Sequence, residues 1–133
     1  MSHVELVQRV YAAFGRGQVE AVLAAFDPQI EWHLAEGHPY EPGGRAWVGP
    51  GAVREKLFER IGAEWDGFTV HPQIFHDAGV VVVVEGRYTG TCKSTGKSLD
   101  AQLCHVWTIR NGKVARFQQF VDTAQLQDVI GAR

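Results

Sequence analysis

One histidine and one glutamine near the end of the chain are the side chains best placed to do chemistry. They lie in the segment CHVWTIRNGKVARFQQFVDT, residues 104 to 123, which predicts two strands joined at Asn111-Gly112. His105 can change charge near neutral pH and can act as an acid or a base. Gln119 donates and accepts hydrogen bonds but does not exchange protons. The segment therefore predicts either a packed hairpin or the polar end of a small-molecule pocket.

The register of this hairpin decides whether the two side chains meet. A two-residue turn pairs His105 with Gln118, whereas a three-residue loop with Gly112 in a left-handed bulge shifts the pairing by one residue. We expect the bulged form, because it places Phe117 inside the sheet. His105 then shares an inner face with Gln119, and it is the predicted catalytic residue.

The other predicted binding residues are mostly apolar. Side chains alternate between the two faces along a strand. Ile30, Trp32 and Leu34 therefore turn toward the helices, while Glu31 and His33 turn away. Tyr88 lies on the face of its strand that reaches the pocket mouth. The full set of predicted binding residues is Val10, Phe14, Trp32, Leu34, Tyr88, Leu103, Trp107, Phe117 and Gln119.

The elements that position these residues are helical first and β-rich afterwards. The helical spacing of Val4, Val7, Tyr11 and Phe14 predicts a helix over residues 2 to 14. A second, shorter helix is predicted over 18 to 26, and it ends at Asp27-Pro28. A strand over 29 to 35 and a helix over 52 to 65 follow. Four β-rich runs separated by DAG, STG and NG turns predict an antiparallel meander, and a last helix begins near Asp122.

This order predicts an α+β fold of one domain, residues 1 to 133. Helices packed on the concave face of a curved antiparallel sheet enclose a conical pocket, the cystatin-like cone, which suits a small apolar ligand. The long loop between the first strand and the third helix, residues 36 to 51, carries His38, Tyr40 and Trp47, which form either a lid or ordinary surface packing.

Composition and charge exclude several classes of function. The formal net charge is −2 and no basic run is present, which argues against nucleic acid as a partner. The longest apolar run, Val80 to Val84, is too short to span a membrane, and the first residues lack the features of a signal peptide. Cys92 and Cys104 have no metal-ligand spacing, so we expect reduced thiols, a cytoplasmic protein, no metal site and no cofactor.

The chain resembles the nuclear-transport-factor-2-like superfamily, and more narrowly its SnoaL-like and ketosteroid-isomerase-like branch. The resemblance is carried by YAAFGRGQVEAVLAAFDPQIEWH, GRAWVGPGAVREKL, GRYTGTCKSTGK and HVWTIRNGKVARFQQFVDT, which together cover nearly the whole chain. Because this fold serves isomerases, cyclases, dehydratases, epoxide hydrolases and binding modules, the resemblance implies the fold more strongly than the reaction.

Residue by residue, the resemblance implies an incomplete catalytic set. In the SnoaL-like cyclases an aspartate acid/base stands where Gln119 is, and a histidine stands where His105 is. In an ungapped alignment with ketosteroid isomerases, Val10 stands in place of their tyrosine, Leu34 in place of their aspartate base and His105 in place of their second acid. A one-residue gap would put His33 instead of Leu34 in place of the base. With Val10 and Leu34 in those places, steroid isomerisation is disfavoured.

Three functions remain open at this point. The first is an isomerase, cyclase or dehydratase that acts on a small apolar or polycyclic ligand through His105, and the second is a binding module without turnover. The third is a dimerisation or scaffold module, which uses the same sheet but needs no polar group in the pocket. In each case we expect a homodimer formed through the sheet, because GVVVVVEGRY is apolar on both faces and the helices can cover only one.

Overall fold

The computed structural model describes residues 1–41 and 43–131. Its elements follow one another in the predicted order, with helices in the first half and long strands in the second. The elements are α1 (His3–Gly15), α2 (Val19–Ala24), β1 (Phe26–His33), β2 (Trp47–Val48), α3 (Pro50–Val53), a π-helical turn (Arg54–Phe58), α4 (Glu59–Glu64), β3 (Trp65–Ala78), β4 (Val81–Cys92), β5 (Ser98–Arg110), β6 (Lys113–Val121) and α5 (Thr123–Ile130).

The strands form one six-stranded sheet with the order β2-β1-β6-β5-β4-β3. Strands β3 to β6 form the predicted antiparallel meander, and β1 joins its far edge by pairing parallel to β6. The inner sides of the strands and the buried sides of the helices share one large apolar cluster. The α+β class, with helices on one face of a curved, open sheet, is therefore confirmed.

The first helix begins as the sequence predicts. The Ser2 side chain accepts a hydrogen bond from the backbone N–H of Glu5, and the Glu5 side chain accepts one from the Ser2 backbone, which completes a capping box. The helix buries Val7, Val10 and Ala13 against the sheet. Its register also turns Tyr11 toward β5, which matters for the site.

The second helix is shorter than predicted. It ends at Ala24, and β1 begins at Phe26, before the Asp27-Pro28 pair that was expected to end the helix. Proline is tolerated here because β1 does not pair regularly over this stretch: its pairing with β6 is shifted between Phe26 and Glu31. The predicted single helix over 52 to 65 begins at Pro50 instead and contains the π-helical turn Arg54–Phe58.

The β5–β6 hairpin has the predicted pairing at the site but a different turn. Asn111 and Gly112 both have positive φ angles, 52° and 74°, and Arg110 pairs directly with Lys113, as in a two-residue turn. The three-residue loop with a glycine bulge was therefore wrong. The extra residue is Ala115, because Ile109 pairs with Val114 while Thr108 pairs with Arg116. This bulge shifts the register by one and places His105 opposite Gln119.

A smaller apolar cluster closes the other end of the sheet. It joins α5 to the inner face of β4 and β5 through Leu126, Leu99 and Leu103. Asp122 caps α5 by accepting a hydrogen bond from the Gln125 backbone. Among the described residues, no helix is long and apolar enough to cross a membrane.

Candidate functional site

A cavity lies between the helices and the inner face of the sheet. Its empty space is about 760 Å³, counting the part that opens to solvent. Within the described part of the chain, its walls contain no aspartate, glutamate, lysine or arginine. The lining residues are Val10, Tyr11, Phe14, Val22, Phe26, Trp32, His38, Tyr40, Leu57, Phe58, Ile61, Trp65, Phe68, Val70, Tyr88, Leu99, His105, Trp107, Phe117, Gln119, Leu126 and Ile130.

His105 lies in the wall of this cavity between two tyrosines. Its Nδ1 atom is 2.6 Å from the hydroxyl oxygen of Tyr11, which comes from helix α1. Its Nε2 atom is 2.5 Å from the hydroxyl oxygen of Tyr88, which comes from strand β4. The imidazole is only 4% exposed. Both ring nitrogens are thus engaged, and a proton that moves between His105 and a ligand has to pass through a tyrosine hydroxyl.

Each tyrosine is held by a further donor. The indole N–H of Trp107 donates to the Tyr11 hydroxyl over 2.9 Å, and the side-chain amide of Gln119 donates to the Tyr88 hydroxyl over 2.9 Å. The other end of the Gln119 amide, Oε1, accepts a hydrogen bond from the backbone N–H of Ala35. Gln119 therefore positions Tyr88, and it links the end of β1 to the site.

Burial keeps this group of side chains uncharged. Desolvation lowers the pKa of His105 to about 3, so its imidazole is neutral over the whole physiological range. Burial also raises the pKa of Tyr11 and of Tyr88 well above that of a free tyrosine. A neutral imidazole between two neutral phenols can exchange protons with them without any group having to carry a charge at rest.

A second polar group stands in the cavity wall and comes from the long loop. The Nδ1 atom of His38 accepts a hydrogen bond from the backbone N–H of Tyr40, so the hydrogen of the neutral imidazole is on Nε2. Desolvation lowers the pKa of His38 to about 4. The Tyr40 hydroxyl donates to Glu64 and accepts from the Trp65 indole, and burial raises the pKa of Tyr40 to about 12.

Aromatic rings make up the apolar wall. Trp32 stacks on Phe117 with ring centroids 3.8 Å apart, and Trp107 meets Phe117 edge to face at 4.7 Å. Phe117 also touches the His105 ring at 4.7 Å. Rigid, flat walls of this kind favour a flat or polycyclic apolar ligand.

The structure brings most of the predicted site residues together. Eight of them line the cavity, namely Val10, Phe14, Trp32, Tyr88, His105, Trp107, Phe117 and Gln119. Leu34 and Leu103 are buried but do not line it: Leu34 packs in the large apolar cluster and Leu103 in the smaller one. Of the three loop residues proposed as a lid or surface packing, His38 and Tyr40 are cavity residues, whereas Trp47 forms part of β2 and packs against the large apolar cluster. Position 42 of this loop lies outside the described residues.

Tyr11 is the polar cavity residue beside His105 that the sequence analysis missed. The resemblance to ketosteroid isomerases directed attention to Val10 as the place of a helix tyrosine, one residue before the tyrosine that is present. Helical spacing marked Tyr11 only as part of the apolar face of α1. The missed signal was its hydroxyl, because a buried tyrosine on such a face needs a polar partner.

The comparison with protein-family models now adds to this geometry. The model of the SnoaL-like domain matches residues 7–117. The chain belongs to the SnoaL-like domain family. Solved structures agree with this assignment: an NTF2-like protein from Burkholderia thailandensis is 35% identical, with 98% of each chain covered and a TM-score of 0.91.

Two further solved structures are similar to this SnoaL-like protein. TerC, co-crystallised with polyporic acid, is 27% identical over 96% of this chain and 97% of its own, with a TM-score of 0.85. A protein with a ketosteroid isomerase-like fold from Catenulispora acidiphila, in complex with trimethylamine, is 16% identical over 98% and 95% of the two chains, with a TM-score of 0.78, and this likeness shows the fold alone. No curated protein matches the sequence.

Proposed function

We propose that this SnoaL-like protein binds a small, largely apolar or polycyclic ligand in its cavity and isomerises, cyclises or dehydrates it by acid–base chemistry. The observation that carries the proposal is the Tyr11–His105–Tyr88 arrangement, a buried imidazole hydrogen-bonded at both nitrogens to hydroxyls that line an apolar cavity. No metal or cofactor is part of the proposal.

The chemistry assigned to each group follows from its contacts. The two tyrosine hydroxyls face the cavity and are the groups that would meet the ligand. His105 stands behind them and supplies or takes up the proton that a tyrosine passes on. The lining is almost entirely apolar, so a ligand that fills the cavity would displace water from it, which strengthens each hydrogen bond inside the cavity and protects reactive intermediates.

A relative supports the ligand class. TerC, which shares 27% of its residues with this chain over nearly the whole length, was co-crystallised with polyporic acid. We therefore expect a small organic ligand in the cavity of this chain. The reaction itself is proposed from the site and not from that relative.

A second candidate function is binding without turnover. It is favoured by the full engagement of both His105 nitrogens and by the lack of any carboxylate among the described cavity residues. In that case the tyrosines fix the orientation of a ligand, and His105 serves only to hold them.

Identification of the bound molecule and a kinetic comparison test the two functions. Native mass spectrometry of the gently purified protein should show a bound organic molecule of small mass. With that molecule as substrate, His105→Gln should lower kcat by about 100-fold or more while KM changes little, because acid–base groups contribute on that scale. His71→Gln, which alters an exposed histidine on β3, is the matched control and should behave like the wild type.

If the molecule binds and is released unchanged, the enzyme proposal fails and the binding module stands. If His105→Gln turns over at the wild-type rate, His105 has no part in the chemistry.

The proposal also includes the assembly and the location. We propose a single-domain homodimer formed through the outer face of the sheet, where Phe120 and Ile74 are 53% and 51% exposed. We propose a cytoplasmic protein, which agrees with two unpaired cysteines, Cys92 and Cys104.

A further inference from the structure

The side chains around His105 hold more hydrogens than their mutual hydrogen bonds can use. The hydrogen bonds form a series that runs Trp107, Tyr11, His105, Tyr88, Gln119, and the two outer members can only act as donors toward the tyrosines. Trp107 has an indole N–H that can only donate, and it donates to the Tyr11 oxygen. The backbone N–H of Ala35 can also only donate, so it fixes Oε1 of Gln119 on its own side and turns the NH₂ group toward Tyr88.

The hydrogens between these ends can then be counted. A neutral His105 has one N–H, and Tyr11 and Tyr88 have one O–H each, which makes three hydrogens. Only two hydrogen bonds within the group each require one of these hydrogens, the bond between Tyr11 and Nδ1 and the bond between Tyr88 and Nε2. One hydroxyl hydrogen is therefore left over.

The tautomer of His105 decides which hydroxyl is left over. With the hydrogen on Nδ1, the imidazole donates to Tyr11 and accepts from Tyr88, so the Tyr11 hydroxyl is free to donate elsewhere. With the hydrogen on Nε2, the Tyr88 hydroxyl is the free donor. Protonation of His105 would add a further hydrogen and free both hydroxyls, so the surplus is never less than one as long as both phenols keep their protons.

The surplus hydrogen has no acceptor among the described residues of the protein. Apart from the contacts with His105, Trp107 and Gln119, neither tyrosine hydroxyl has a hydrogen-bond partner within residues 1–41 and 43–131. Both tyrosines line the cavity. A hydroxyl hydrogen without an acceptor is costly in an apolar cavity, so a ligand that displaces water from the cavity has to supply the acceptor atom itself.

We propose that the ligand carries a carbonyl-type acceptor oxygen that binds to the Tyr11–His105–Tyr88 group, and that the tautomer of His105 selects which tyrosine donates to it. The inference rests on the proposed function, because it assigns the ligand chemistry of the same cavity. The consequence is that either tyrosine alone can donate the hydrogen bond to the ligand oxygen. Only the loss of both tyrosine hydroxyls removes that hydrogen bond.

A second, independent donor points to the same ligand chemistry. Trp32 lines the cavity and is 5% exposed, and its indole N–H is buried without a partner in the described structure. An indole N–H can only donate. No carboxylate stands in the described cavity wall to accept from it. Oxygen acceptors on the ligand would satisfy both unused donors.

Two probe molecules of nearly equal shape test the proposal. The first is 2-acetylnaphthalene labelled with ¹³C at its carbonyl, and the second is 2-isopropenylnaphthalene, in which a CH₂ group replaces the oxygen. The affinity ratio of ketone to alkene is measured by fluorescence titration in the wild type, in Tyr11→Phe, in Tyr88→Phe and in the double variant. In the wild type, the ¹³C resonance of the bound carbonyl should move downfield from its position in hexane, as for a hydrogen-bonded ketone.

The pattern across the variants is the specific expectation. In each single variant the His105 tautomer can still free the remaining hydroxyl, so the ratio should stay within about twofold of the wild type. In the double variant the desolvated carbonyl has no tyrosine donor, and the ratio should fall at least about fivefold. The alkene should bind all four proteins within about threefold, which shows that the cavity has kept its shape.

The possible failures are distinguishable. If both probes bind the wild type but the carbonyl resonance stays at its hexane position, the acceptor-oxygen proposal is overturned while the cavity function stands. If one single variant alone loses the whole preference, one tyrosine is a fixed donor and the tautomer selection is wrong. If neither probe binds the wild type, the cavity is not an apolar ligand site, and the proposed function fails together with this inference. The wild-type measurements decide the first and third cases even if a variant does not fold.

Discussion

The low pKa of the two cavity histidines makes the stability of the protein depend on pH. Burial lowers the pKa of His105 to about 3 and that of His38 to about 4, whereas both rise toward about 6.5 in the unfolded chain. Between these values the unfolded chain binds a proton that the folded protein does not. Stability is therefore fully present above about pH 6.5 and is lost as the pH falls, by up to about 1.4 kcal/mol per pH unit for each histidine.

His105→Gln tests this expectation. On acidification from pH 7 to pH 5, the free energy of unfolding of the variant should fall by roughly 2 kcal/mol less than that of the wild type, because one buried titrating group is gone. Chemical denaturation at the two pH values measures the difference. His71→Gln, at an exposed position, is the control. An identical acid-induced loss in His105→Gln and the wild type would show that His105 is not held neutral by burial.

At the scale of single residues, the sequence predicted the polar pair but not its surroundings. The alternation of β5 and β6 was enough to place His105 and Gln119 on one face. Tyr11 could not be assigned to them, because the rotation of α1 about its axis is fixed by packing and not by apolar spacing alone. Gln119 was predicted as a binding residue, and the alternation did not indicate that its side chain donates to Tyr88 and accepts from the backbone of Ala35.

At the scale of elements, strands β3 and β4 approach each other closely just before Tyr88, which lines the cavity. Strand β3 contains an irregularity between Pro72 and Ile74, opposite Gly86 of β4. The strands approach so closely there that a Cβ atom on Gly86 would lie 2.3 Å from the backbone oxygen of His71. Glycine is therefore required at this position, two residues before Tyr88.

Gly86→Ala should destabilise the protein by at least about 2 kcal/mol, because the clash involves backbone that cannot move aside without disturbing the sheet. Gly62→Ala is the matched control: no atom lies within 4 Å of the added Cβ, and in helix α4 alanine should stabilise by up to about 1 kcal/mol. Thermal and urea denaturation measure both. Equal stability of Gly86→Ala and the wild type would mean that the two strands are further apart than described.

The elements also show where sequence patterns reach their limit. The meander was predictable because its turns and alternation are local. The parallel pairing of β1 with β6 joins segments about 85 residues apart and leaves no local signal. The bulge was predicted at Gly112 but lies at Ala115, for a related reason. Asn111-Gly112 forms a regular two-residue turn, and the extra residue lies where β6 also pairs with β1 near Phe26.

At the scale of the whole molecule, the outer face of the sheet is the surface through which we propose that the homodimer forms. Inside, the strands pack on the helices, but Phe120 of β6 and Ile74 of β3 project from the opposite face and are more than half exposed. A large aromatic side chain on an open sheet face favours contact with a second surface. In a homodimer, the face that the helices leave uncovered would be buried against its copy.

Phe120→Glu should convert the proposed dimer into a monomer, because it replaces the most exposed aromatic side chain of the outer face by a charge that would have to be buried in the interface. Multi-angle light scattering at micromolar concentration should give about 29 kDa for the wild type, twice the 14.7 kDa of one chain, and 14.7 kDa for the variant.

Val80→Glu introduces the same charge at another exposed apolar residue, in the β3–β4 turn and away from that face, and should remain dimeric. Both variants should keep the cavity intact, since neither residue lines it. A wild-type protein that is monomeric at this concentration would contradict the dimer. A dimer that survives in Phe120→Glu and dissociates in Val80→Glu would place the interface at the hairpin end instead of on the sheet.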